Sequence, residues 1–153
     1  MKNIIFFLML FLPVTLLADT ISKAAEDSSV ITKESPYSVT ETMDKFEAIV
    51  KKKGLGVFAR VDHQKNAKTV KMEMNEAQVL IFGNPKAGTV LMKQDISLAL
   101  DLPMRVVVYS SEGKVYIAYH NPQSFAKQYQ LEGSPVLGKL EKGLDKLTSA
   151  AIK

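Results

Sequence analysis

The chain opens on an apolar run that differs from everything after it. A single Lys2 precedes Ile4 to Leu17, a stretch broken only by Pro13 and Thr15, and the character turns polar at Ala18-Asp19. A basic start, an apolar middle and a small residue before the break are the parts of a secretory signal. The run is about fourteen residues, against the roughly twenty that span a bilayer as a helix. Cleavage after Ala18 is therefore expected, with no transmembrane span in the mature protein. Residues 19–29 are polar and unpatterned, which reads as a flexible lead.

Beyond the lead the apolar positions alternate between two periods. Val30-Ile31-Thr32 with Tyr37 suggests a strand closed by Ser35-Pro36. Ser38 precedes Glu41 by three residues, a capping box, and Val39, Met43, Phe46 and Val50 follow at helical spacing up to Gly54. Gly56 to Val61 reads as a second strand, residues 64–77 are ambiguous, and Val79 to Phe82 is a continuous apolar strand. The loop Gly83-Asn84-Pro85-Lys86-Ala87-Gly88 follows, and Thr89 is expected to cap a helix carrying Leu91, Ile96, Leu98 and Leu100. Met104 to Tyr109 and Lys114 to Tyr119 flank Ser110-Ser111-Glu112-Gly113 as a hairpin. Asn121-Pro122 starts a short helix with Phe125 and Tyr129, and Leu137, Leu140, Leu144 and Leu147 mark an amphipathic helix at the C-terminus.

These elements predict one α+β domain: a mainly antiparallel sheet of about five strands with helices packed on one face. The divisions are a signal peptide at 1–18, a lead at 19–32, the α+β domain at 33–133 and the C-terminal helix at 134–153. Removing residues 1–18 from the 153 leaves 135, enough for one core. The loss of Lys2 lowers the net charge from +4 to +3, too small and too scattered to predict nucleic-acid binding. The basic run Lys51-Lys52-Lys53 falls at a helix end, where cations favour the dipole. With no Cys the chain has no lipoprotein acceptor, no disulfide and no thiol nucleophile, so packing alone must stabilise it.

Candidate chemistry gathers at strand ends. Gly83 to Thr89 has backbone amides at a helix start and Lys86 beside them, which suits a small anion. Its Gly-x-x-x-x-Gly spacing lacks the lysine of a phosphate-binding loop, since Thr89 stands there. Asp62-His63 could act as a general base with its neighbouring acid, and His63 with His120 could begin a metal site if the fold joined them. Arg105 needs a partner, with Asp62 and Asp101 the candidates. Met72, Met74 and Met92 with the two His are soft ligands for cuprous copper, although methionines also fill cores. Neither a Gly-x-Ser-x-Gly elbow nor a His-Glu-x-x-His pair occurs. No cofactor is expected.

Four strings together resemble the family known as domain of unknown function 302. They are Phe58-Ala59-Arg60-Val61-Asp62-His63, Leu80 through Thr89, Asp101-Leu102-Pro103-x-Arg105 and Tyr119-x-Asn121-Pro122. The specific part is Phe-Gly-Asn-Pro-x-x-Gly-Thr at residues 82–89, and the likeness runs from about residue 35 to 131, leaving the tail outside. The resemblance implies a compact, dimer-forming α+β domain with no established activity. It implies shared positions at Asp62, His63, Asn84, Pro85, Gly88, Thr89, Arg105 and Asn121. The expected function is a small-ligand or anion-binding domain of the cell envelope. In it His63, Asn84, Lys86, Gly88, Thr89, Arg105 and Asn121 would bind, with the Gly83–Thr89 loop, His63 and Arg105 converging on one cleft. The alternatives are an enzyme with His63 as general base assisted by Asp62 or Arg105, a homodimerising structural domain, and a periplasmic copper binder.

Overall fold

A computed structural model describes residues 29–153, so the signal sequence and most of the lead lie outside the described residues. The order is β1 (Val30–Ser35), α1 (Val39–Lys52), β2 (Gly56–Asp62), α2 (His63–Thr69), β3 (Ala77–Gly83) and α3 (Pro85–Met92). A 3-10 turn (Ile96–Leu100), β4 (Met104–Ser111), β5 (Lys114–His120), α4 (Ser124–Gln128) and α5 (Pro135–Ala151) follow. The five strands form one open sheet in the order β1-β5-β4-β3-β2, every neighbouring pair antiparallel. This is the α+β sheet-and-helix architecture that the periodicity predicts.

Strand alternation divides the sheet into two faces. On β3, Gln78, Leu80 and Phe82 are buried while Val79 and Ile81 are half-buried, and β4 repeats this with Met104, Val106 and Val108. The buried set joins Val39, Met43, Phe46 and Val50 of α1 and Leu137, Leu144 and Ala151 of α5 in one core. Phe46 meets Phe82 edge to face, ring centres 5.3 Å apart. The opposite face carries Val61, Val79, Val107 and Ala118 in one cross-strand row. All four stand outside that core cluster.

Local chemistry sets the element ends. The Ser38 hydroxyl accepts from the Glu41 amide to start α1. Glu112 and Gly113, both with positive φ, make the two-residue turn between β4 and β5, the backbone that matches strand twist in a hairpin. Residues 63–69, all but His63 in the stretch that is ambiguous by sequence, are helical because the Asp62 carboxylate accepts from the Lys65 amide. A bulge in β2 between Val57 and Ala59 shifts the register at Phe58 and leaves that ring exposed.

Two polar clusters tie helices to strands. Arg60 donates to Gln78 and to Asp44 and Glu47 of α1, while Gln78 donates to Thr40. Glu47 sits below the usual carboxylate range: the Lys51 hydrogen bond is the largest influence, burial opposes it, and Arg60 adds to the lowering. On β1, the Lys33 ammonium donates to the backbone oxygen and carboxylate of Asp145, to Thr148 and to Ser149, all on α5.

Candidate functional site

The expected loop at 83–89 is mostly helix. Asn84, not Thr89, is the cap: its Oδ1 accepts from the amides of Lys86 at 2.9 Å and Ala87 at 3.4 Å, and Pro85 takes the first helical position. Thr89 lies inside α3. The amides that an anion would use are thus already hydrogen-bonded to Asn84. The helix expected to run on to Leu100 ends at Met92, and a separate 3-10 turn starts after Asp95, whose carboxylate accepts from Ser97.

Between α3, α5 and the end of the sheet lies a cavity of about 520 Å³. Phe82 and Met104 form its floor; Gly88, Leu91 and Met92 of α3 form one wall. Val136, Leu140, Gly143 and Leu147 of α5 form the opposite wall, and Asn84, Thr89 and Lys139 supply its polar side chains. The β2 bulge brings Phe58 to this cavity as well, and the Leu102–Pro103 segment, joined by a cis peptide bond, closes one side. Such a volume, largely apolar with a few polar groups, lies in the range of small-molecule sites.

The positions picked out by sequence divide between this cavity and three other places. Asn84, Gly88 and Thr89 line it; Lys86 is exposed beside it on α3 and is not in its wall. Asp62 is paired with Gln78 on β3, four strand positions from Phe82. His63 is therefore carried to the opposite end of the strand, roughly 13 Å away at the usual rise. Asp62 itself is engaged as the α2 cap.

Arg105 points to the other face of the sheet. There, with Val79, Val107, Ala118 and His120, it borders a shallower hollow of about 280 Å³. Its partner is Asp101, at 3.2 Å, and not Asp62. The second Asp101 oxygen accepts from the Tyr129 hydroxyl, and that hydrogen bond is the main reason the phenol is raised above its ordinary value. Asn121 is buried, and its Oδ1 accepts from the Gln123 amide. It holds a turn before α4, which starts at Ser124, two residues later than the Asn121-Pro122 signal implied.

The expected convergence of the Gly83–Thr89 segment, His63 and Arg105 on one cleft does not occur. Antiparallel register separates His63 from His120 as well, since they end strands at opposite ends of the sheet. Among the described residues no three His, Asp or Glu side chains come together as a metal site. Met72 and Met74 are exposed in the segment before β3, while Met92 is in the cavity wall at the far end of that strand. The α5 wall, with Lys139 and Gly143, was not singled out from sequence. The signal available for it is Gly143, a glycine inside an amphipathic helix, where it costs about 1 kcal/mol relative to alanine.

The family model described as "Domain of unknown function DUF302" matches residues 31–150. It reaches through α5, so the C-terminal helix expected to lie outside the shared domain is part of it. A crystal structure of an uncharacterized conserved DUF302 protein from Bacillus stearothermophilus has a similar fold. The TM-score is 0.66 at 18% identity, covering 81% of this chain and 95% of that one. Among curated proteins, the chain is 39% identical over 106 residues to the fluoride-specific ion channel FluC 1 of Brucella suis, covering 69% of this chain and 42% of that one. The fluoride-specific ion channel FluC 2 of Brucella melitensis matches at 39% over 106 residues, 69% of this chain and 39% of its own length. The chain thus spans about two fifths of the length of these relatives. Among the described residues no helix is long and apolar enough to cross a membrane.

Proposed function

The chain belongs to the DUF302 family, and from that premise we propose that it is a binding domain for a small, mainly apolar ligand, working in the cell envelope. The observation that carries the reading is the cavity of about 520 Å³ between α3 and α5, bordered by Asn84, Gly88 and Thr89 of the Phe82–Thr89 string. The Lys2-to-Ala18 pattern supports export. Protein recovered from the cell envelope is expected to have an intact mass that begins at Asp19, and a mass that retains residues 1–18 would refute cleavage.

Gly143 supplies the test. A Cβ built there meets no atom within 4 Å, so a larger side chain has open space to enter, and the helix gains propensity from losing a glycine. Wild-type protein is expected to bind the neutral dye 1-aminoanthracene saturably. Gly143→Leu is expected to weaken that binding at least tenfold while leaving the melting temperature unchanged or higher. Equal titrations for the two proteins would remove the cavity as the binding site.

One observation favours a second reading, a homodimer. The face turned away from α1 and α5 carries the row Val61, Val79, Val107 and Ala118, with Ile81 beside it; Ala118 is buried, but the three valines and Ile81 are only half-buried, and contiguous apolar surface that keeps contact with water marks association sites. Val79→Glu would place a charge in the middle of that row. Sedimentation equilibrium is expected to show a dimer for the wild type and a monomer for the variant; a wild-type monomer at tens of micromolar would exclude the reading.

A further inference from the structure

We propose that the cavity between α3 and α5 takes an amphiphilic monocarboxylate, with its apolar body among Phe82, Leu91, Leu140 and Leu147 and its carboxylate at Lys139. The proposal rests on the reading of this cavity as a ligand site. Among the described residues Lys139 is the only charged one in the cavity lining, and none of those lining residues is acidic. Among the described residues Lys139 makes no ion pair or hydrogen bond, whereas the acid two residues on, Glu141, accepts from Gln123 and is occupied there.

The other polar groups of the lining agree in sign. Asn84 has its Oδ1 committed to the α3 amides, so its free hydrogens are donors, and Thr89 adds a hydroxyl. A cation and donors beside an apolar interior complement a head group with one negative charge on an apolar tail. A neutral hydrocarbon leaves Lys139 without a counter-charge. A doubly charged phosphate ester would bring a second charge for which the lining holds no second cation.

Displacement of 1-aminoanthracene from the full chain by decanoate and by 1-decanol, in wild type, Lys139→Met and Lys139→Arg, tests this. Lys139 is exposed, so its replacement leaves the core intact. Decanoate is expected to bind about fivefold more weakly to Lys139→Met than to wild type, in keeping with an ion pair at a solvent-facing rim. Lys139→Arg is expected to restore it, and 1-decanol to bind all three proteins alike. Decanoate binding that ignores Lys139→Met while 1-decanol still binds overturns the carboxylate assignment and leaves the apolar site standing. Failure of the dye and of both competitors to bind wild type overturns the site and the assignment together.

Discussion

Phe46→Ala is expected to lower the free energy of unfolding by about 3–5 kcal/mol, the cost of emptying a fully enclosed aromatic site. Phe46 has no exposed surface, and it joins the two layers of the molecule: it stands on α1 and meets Phe82 of β3 edge to face. Backbone elements on both sides are held by their own hydrogen bonds, so the space left by the ring cannot simply collapse. Urea unfolding followed by far-ultraviolet circular dichroism measures the change. A loss under 1 kcal/mol would mean that α1 does not pack on the sheet as described. Because Phe82 is also the cavity floor, the same variant is expected to bind 1-aminoanthracene more weakly.

The second large effect is expected at Lys33. Its ammonium has three hydrogens and four oxygen acceptors within hydrogen-bonding distance, at 2.7–3.0 Å, all on α5. The side chain is 18% exposed, so water replaces these bonds poorly once the cation is removed. Lys33→Met keeps the apolar stem and removes the donors, and is expected to cost about 1.5–3 kcal/mol, the range for hydrogen bonds to a charged group. Amide exchange locates the effect. The last two turns of α5, around Thr148, are expected to exchange faster in the variant than the middle of α1. Equal protection in both proteins would show that Lys33 does not hold α5 to the edge strand.

The sequence exposes those parts of the fold that are decided locally. The Ser38–Glu41 box, the Glu112-Gly113 turn and the leucine spacing from Leu137 to Leu147 each act through neighbours a few residues away, so their physics is present in a short window. The error at Thr89 is of a different kind. Asn84 and Thr89 both suit a cap, and the deciding signal was Pro85, which favours the first helical position and therefore selects Asn84. The site was less legible, because antiparallel register decides which strand ends meet. Asp62-His63 and His120-Asn121 look equivalent as sequence, yet pairing of Asp62 with Gln78 and of Val106 with Tyr119 sends them to opposite ends. The cavity is harder still to read, since it is the space α5 leaves against α3. Only Gly143, out of place in a helix, hints at it.

The β2 bulge at Phe58 has a consequence for how copies of this domain can meet. An open sheet has two unpaired margins, here β1 and β2, and a flat margin invites the next copy to add its own, a contact that repeats without end. On β2 the bulge breaks the even spacing of the outward amides and carbonyls. On β1 the strand is short, with Lys33 turned to α5 and Glu34 paired with Lys114. Both margins are thereby poor templates for a further strand. For the homodimer we propose, that leaves the Val79 face, where a contact about a twofold axis would close at a pair instead of growing.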